Sequence, residues 1–142
     1  MSEERKSVDI KQVIVLRKDL KNQEGHKIRT GKLVTQGSHA SSQVFFQRGI
    51  VIEEGGNKFL KIPLTDEMGK WLEDRYAKIT LKVESEEQLL DTYQQALDQG
   101  LPCALIQDAG LTEFNEPTYT AIAIGPAHKN DLDKITGGLS LL

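Results

Sequence analysis

The segment Thr30-Gly31-Lys32-Leu33-Val34-Thr35-Gln36-Gly37-Ser38-His39-Ala40 carries two stripes of residues at helical spacing. Leu33, Gly37, Ala40 and Val44 follow the i, i+4, i+7, i+11 pattern that puts side chains on one helix face. That stripe is mostly small, so the helix can lie close against a sheet. Lys32, Gln36, His39 and Gln43 repeat the pattern one step round the helix. An ammonium, an amide and an imidazole near the positive end of a helix suit an anionic substrate. An ordinary solvated face has the same composition, and on this stripe alone that plainer reading is the better one.

The flanking patterns extend the first constraint into a fold class. Val13-Ile14-Val15-Leu16 is a continuous apolar run, the mark of a buried strand. A helix from Gly31 to Gln47 follows, with Thr30 as its N-cap. Ile50-Val51-Ile52 and Phe59-Leu60-Lys61-Ile62 flank Glu53-Glu54-Gly55-Gly56-Asn57 and read as a hairpin. A short helix over Thr65 to Tyr76 turns Met68, Trp71 and Leu72 inward. Lys78 to Val83 alternates as a strand. Ser85-Glu86-Glu87-Gln88 is a capping box that opens a helix with Leu89, Leu90, Tyr93 and Leu97 on its apolar side, ended by Gly100 and Pro102. Cys103 to Ile106 and Thr118 to Ile124 are strands joined by a loop, which makes that pair antiparallel. Asp131 to Ile135 forms a short helix, and Leu139 to Leu142 a short closing strand. The expected architecture is α/β, a three-layer sandwich with a mixed sheet of about four strands flanked by helices and a small hairpin and helix insertion. Residues 1–10 read as a flexible tail and 11–142 as a single domain, with the insertion at about 49–70.

Composition narrows the function classes. A chain of 142 residues with 38% hydrophobic and 27% charged residues has the make-up of a soluble globular domain. No apolar run reaches the ~20 residues that cross a bilayer, and the polar start lacks the apolar core of a secretory signal. A cytoplasmic protein is the expectation. One cysteine, Cys103, excludes an internal disulfide and a Cys-based zinc site. His26, His39 and His128 lack ligand spacing, so no metal is expected. Net charge is −3, but its distribution is uneven. From Arg17 to Lys32 six cations (Arg17, Lys18, Lys21, Lys27, Arg29, Lys32) face two acids, a local net of +4, whereas Glu84 to Asp98 holds five acids and no Lys or Arg. The basic segment suits a polyanion.

Phosphate-loop, dinucleotide, zinc-protease and serine-hydrolase signatures are all missing. Asp108 closes a buried strand at the start of Asp108-Ala109-Gly110-Leu111-Thr112. Ligands of open α/β sheets bind beyond such strand ends. An Asp before a Gly-containing turn also commonly caps that turn, and the residues alone leave both roles open. If the Val13–Leu16 strand and the strand ending at Asp108 are parallel neighbours, Lys32, His39 and Asp108 meet at one rim. Cys103 reads as a small buried hydrophobe, His128 as a surface residue, and Trp71 as a packing anchor for the insertion, an exposed base-stacking platform being the other option.

The chain resembles the type-2 peptidyl-tRNA hydrolases of archaea and eukaryotes. The matching pieces are Val13-Ile14-Val15-Leu16-Arg17-Lys18-Asp19-Leu20, Gly31-Lys32-Leu33 with Gln36 and Ser38-His39-Ala40, Ile79 to Val83, Leu101-Pro102, Asp108-Ala109-Gly110 with Thr112, Ala123-Ile124-Gly125-Pro126-Ala127, and Asp133 to Gly137 through Leu141-Leu142. Their order covers nearly everything from residue 11 to 142 except the insertion. The resemblance implies cleavage of the ester between a peptide and the 3′ ribose of tRNA without metal or cofactor, a mixed four-stranded sheet, and a homodimer. It puts the functional lysine, aspartate and threonine on Lys32, Asp108 and Thr112, and sets Gln36, His39 and Thr120 in or near the site. Departures are Val34-Thr35 for the usual Ala-Ala, Gln107 before the aspartate, and Leu111 where a basic residue is usual.

The chemistry expected beside this is water attack on an ester, with Asp108 as base or water-orienting group, His39 as the competing base, and Lys32 stabilising the oxyanion. Arg17, Lys18 and Arg29 are the expected contacts to the tRNA backbone. The other reading is a catalytically lapsed relative that binds RNA, a nucleotide or a protein partner; Gln107, Leu111 and the insertion favour it, and the joint presence of Lys32, Asp108 and Thr112 opposes it.

Overall fold

The computed structural model describes residues 9–110 and 113–142. Its main sheet is built on β1 (Ile10–Arg17), whose residues from Gln12 to Leu16 are all buried. Odd positions Val13 and Val15 enter one apolar cluster and even positions Ile14 and Leu16 the other, so β1 is covered on both faces. Such double burial explains the continuous apolar run, in place of the alternation of a half-exposed strand. The remaining strands of this sheet are β4 (Lys78–Val83), β5 (Cys103–Asp108), β6 (Thr118–His128) and the short β7 (Ser140–Leu141), in the order β5-β6-β1-β4-β7. β1 and β4 are parallel, while β5–β6, β6–β1 and β4–β7 are antiparallel. The sheet is therefore mixed, as expected, with five strands once the closing β7 pairs with β4.

One face is covered by α1 (Thr30–Phe46) and α2 (Asp66–Glu73), and the other by α3 (Glu86–Asp98) and α4 (Lys129–Thr136). Beneath α1 the sheet presents Ala104, Ala121 and Ala123, while Ile122 and Ile124 of β6 point to the opposite face. On α1 the stripe Leu33, Gly37, Ala40 and Val44 is buried. Gly37 sits so close that an added methyl would lie 3.4 Å from the Ile14 side chain. Small residues on both sides of this contact let the helix ride low on the strands.

Several local expectations are corrected. Thr30 is the first helical residue of α1, not its cap: the extended Arg29 takes the cap position, and its carbonyl accepts from Lys32 and Leu33 N–H. Thr65 and Ser85 do cap α2 and α3, accepting from Met68 and Gln88 N–H. The Gln88 side chain reaches back to Glu84 N–H, one residue before the position of a regular capping box. Leu72 and Leu97 are exposed; α2 buries Met68 and Trp71, and α3 buries Leu89, Thr92 and Ala96. Trp71 stacks on Phe45 and donates to the Ala77 carbonyl, which settles it as a packing anchor. β2 (Ile50–Glu54) and β3 (Asn57–Lys61) form the expected hairpin as a separate two-stranded sheet, turning through Gly55 and Gly56, both with positive φ.

Candidate active site at the Lys32–Asp108 rim

β1 and β5 are not neighbours, contrary to the expectation; β6 runs between them. They still point the same way, each being antiparallel to β6. α1 crosses above that middle strand, so its first turn meets the carboxyl end of β5. Lys32 Nζ lies 2.8 Å from Asp108 Oδ2, with side chains only 11% and 7% exposed. Among carboxylates, Asp108 Oδ2 is also approached by the Gln36 amide nitrogen at 3.5 Å. The other oxygen, Oδ1, accepts the Gly110 N–H at 2.9 Å. The turn-capping role left open for Asp108 is therefore filled by Oδ1, while Oδ2 pairs with Lys32. Gly110 has φ +86°, and a Cβ there would meet the Glu116 backbone at 2.6 Å, so this turn requires glycine.

Thr120 supports Gln36 from below. Strict alternation along β6 would turn Thr120 away from α1, with Ile122 and Ile124. The register between β5 and β6 slips there, Ile106 pairing with Ala121 but Gln107 with Tyr119, so Thr120 is the extra residue of a bulge. Bulges re-aim side chains, and here the Thr120 hydroxyl donates to Gln36 Oε1. Gln36 and Thr120 are both buried. The chain Thr120–Gln36–Asp108–Lys32 thus ties two strands and a helix together at one point.

Electrostatically, Lys32 stands in the first turn of α1, where the helix dipole disfavours a cation and favours an anion. Asp108 supplies that anion. A buried charge pair of this kind persists only when each member compensates the other. Phe114 closes the apolar side, its ring centroid 5.7 Å from Lys32 Nζ.

The other expected residues fare differently. His39 is exposed and lines the groove between α1 and β5. Arg17 is engaged within the fold: its guanidinium grips Asp19 through two nitrogens and donates to the Tyr119 carbonyl. Arg29 is exposed but bonded to Glu113 at 2.6 Å. Lys18 is exposed. Thr112 and Leu111 lie outside the described residues. Glu113 and Phe114 were not anticipated; they follow a turn, where no periodicity marks which side chain points inward. The second carboxylate oxygen of Glu113 is buried without a hydrogen-bond partner among the described residues.

Among the described residues no three His, Cys, Asp or Glu side chains gather as a metal site, and no helix is long and apolar enough to cross a membrane. Burial pushes the Cys103 thiol up, which keeps it protonated and unreactive. Tyr93 is raised by burial first and by Cys103 second.

The family model described as Peptidyl-tRNA hydrolase PTH2 matches residues 10–142. Proteins named peptidyl-tRNA hydrolase are similar along nearly the whole chain. That of Methanocaldococcus jannaschii is 38% identical over 133 residues, 94% of this chain and 100% of that one. Those of Methanopyrus kandleri and Aeropyrum pernix are each 37% identical over 135 residues, covering 93% and 92% of this chain and 97% and 94% of theirs. With the sheet order, the low-riding helix and the strand-end carboxylate already in place, the chain belongs to the PTH2 family of peptidyl-tRNA hydrolases.

Proposed function

We propose that this chain hydrolyses the ester joining a peptide, or an N-blocked amino acid, to the 3′ ribose of tRNA, with Asp108 activating the water and Lys32 holding the oxyanion. The observation that carries this reading is the buried Lys32–Asp108 pair at the strand-end rim. Water oxygen attacks the carbonyl carbon and gives its proton to the Asp108 carboxylate. The carbonyl electrons move onto oxygen, where the Lys32 ammonium stabilises them; an ammonium has three donors, enough to hold Asp108 and a substrate oxygen together. Collapse breaks the bond to the ribose 3′ oxygen, which leaves with the proton from Asp108. Thr112 joins the proposal as the hydroxyl relaying the water to Asp108, on the family pattern alone. His39, exposed and outside this network, gives way to Asp108 as the base.

The basic loop supplies the tRNA contact. Leu20 and Ile28 are buried and anchor its two ends, and Asn22 Oδ1 accepts the Glu24 and His26 N–H groups across its turn. Lys21 and Lys27 face each other across an antiparallel bridge. Like charges placed directly opposite repel, and a polyphosphate backbone relieves that cost. No ion pair among the described residues holds Lys18, Lys21 or Lys27, so these three, rather than Arg17 or Arg29, meet the phosphates. A cytoplasmic setting and a homodimer complete the proposal.

The deciding experiment is peptide release from N-acetyl-aminoacyl-tRNA. Lys32→Ala and Asp108→Asn should each lower turnover by roughly 10²-fold or more. Wild-type rates in either folded variant would remove that residue from the mechanism.

A further inference from the structure

Lys32, Gln36 and His39 do not end their stripe at the catalytic pair. Gln43 and Phe46 continue it at i+11 and i+14, so one helix line runs from the ester site to the far end of α1. Two open grooves lie along that line. The first, about 440 Å³, lies between α1 and the edge strand β5, lined by Ser38, His39, Gln43, Ile106 and Gln107. The second, about 460 Å³, is apolar, formed where Phe45 of α1 meets Leu60, Ile62 and Leu64 of the insertion and Leu72 of α2. Ser42 and Phe46 line both grooves, which therefore adjoin end to end as a two-part trough along α1.

Resting on the hydrolase reading above, we propose that this trough binds the peptide of the substrate, and that the hairpin insertion is a distal subsite for apolar residues about six positions from the ester. The lining changes along the trough in the sense a peptide needs. Near the ester it is polar and able to hydrogen-bond any backbone. At the far end it offers Phe46, Leu60, Leu64 and Leu72, each between 44% and 55% exposed. The near groove runs beside β5, an edge strand with no further strand on its outer side among the described residues. An extended peptide can add to such an edge. Gln47, which donates to the Cys103 carbonyl at 2.7 Å, occupies the edge where β5 begins and turns the path towards the hairpin. The reach also fits. Fourteen residues of helix from Lys32 to Phe46 span about 21 Å, which an extended peptide covers in about six residues.

The test compares N-acetyl-aminoacyl-tRNA with a peptidyl-tRNA carrying eight residues, apolar at positions six to eight from the ester, using the full chain. The wild type should show KM roughly tenfold lower for the long substrate, with similar kcat, as burial of one or two apolar side chains implies. Leu60→Ser and Leu72→Ser should raise KM for the long substrate to that of the short one and leave the short one unchanged. Phe59→Ser, on the opposite face of the hairpin where it pairs with Ile52, should change neither. Equal KM values for long and short substrates in the wild type would overturn the subsite while leaving the hydrolase reading intact. Failure to cleave either substrate would overturn both. Sedimentation showing that Leu60→Ser or Leu72→Ser splits a dimer would give the patch to a second copy and overturn the peptide subsite.

Discussion

At Asp108 the two carboxylate oxygens do different work: Oδ1 fixes the turn through Gly110 N–H, and Oδ2 holds Lys32 and faces Gln36. Asparagine keeps an acceptor for the turn but loses the charge, so Asp108→Asn separates chemistry from architecture in a way alanine does not. The same burial makes the pair costly to break. Removing Lys32 alone takes the cationic partner from a buried carboxylate, a loss of about 3–5 kcal/mol. Lys32→Met should therefore destabilise the protein by that amount in chemical denaturation, and the double variant Lys32→Met with Asp108→Asn should recover most of it. Equal losses in the single and double variants would show that the carboxylate is not strained by isolation. Of these residues, Lys32 and Asp108 could be placed from the sequence at a helix start and a strand end, but their choice as site residues came through the family pattern. Glu113 could not be placed, since nothing in a turn's composition says which way a side chain points. Thr120 came only through the family pattern, because a bulge breaks the alternation from which its direction would be read.

α1 carries the site and sets its height above the sheet. An alanine at Gly37 would sit at ordinary contact distance from Ile14 and gain helix propensity, so Gly37→Ala should be neutral or stabilising by up to about 1 kcal/mol. Gly37→Leu overpacks the same contact, costing about 1–3 kcal/mol, and lifts Lys32 and Gln36 together from Asp108. Its kcat should fall while the bound tRNA contacts persist; unchanged kcat would show that the helix does not need its low seat. The small stripe Leu33-Gly37-Ala40-Val44 announced this packing in the sequence. What it did not announce was which strand lay beneath. Periodicity reports a face, whereas strand order depends on pairings between distant segments, and so β6 came between β1 and β5 unforeseen.

Across the whole molecule, α1 links the basic loop to the apolar hairpin. The loop carrying Lys18, Lys21 and Lys27 precedes the helix, and the hairpin follows it. With about three phosphates engaged, tRNA affinity should fall with a log–log salt slope of roughly −2 to −3. Lys21→Ala should make that slope shallower by about one, and Arg17→Lys should leave it unaltered while loosening the end of β1. A salt-independent affinity would sever the loop from tRNA. The basic cluster was plain in the sequence; its division into two arginines held by acidic partners and three lysines outside any ion pair among the described residues was not, since that depends on Asp19, Tyr119 and Glu113 lying where the fold brings them.

The sheet's two faces differ in a way that bears on how this protein can change. Under α1, strands β5 and β6 present Ala104, Ala121 and Ala123 beside Ile14 and Leu16 of β1, while β6 turns Ile122 and Ile124 towards α3 and α4. The alanines let α1 sit close over β5 and β6, and on the proposed mechanism that spacing sets the height of Lys32 over Asp108. Drift in the isoleucine layer alters how firmly the molecule holds, whereas a single methyl gained in the alanine layer shifts the reach of the catalytic helix. On that reading Ala104, Ala121 and Ala123 tune the proposed chemistry without touching the substrate.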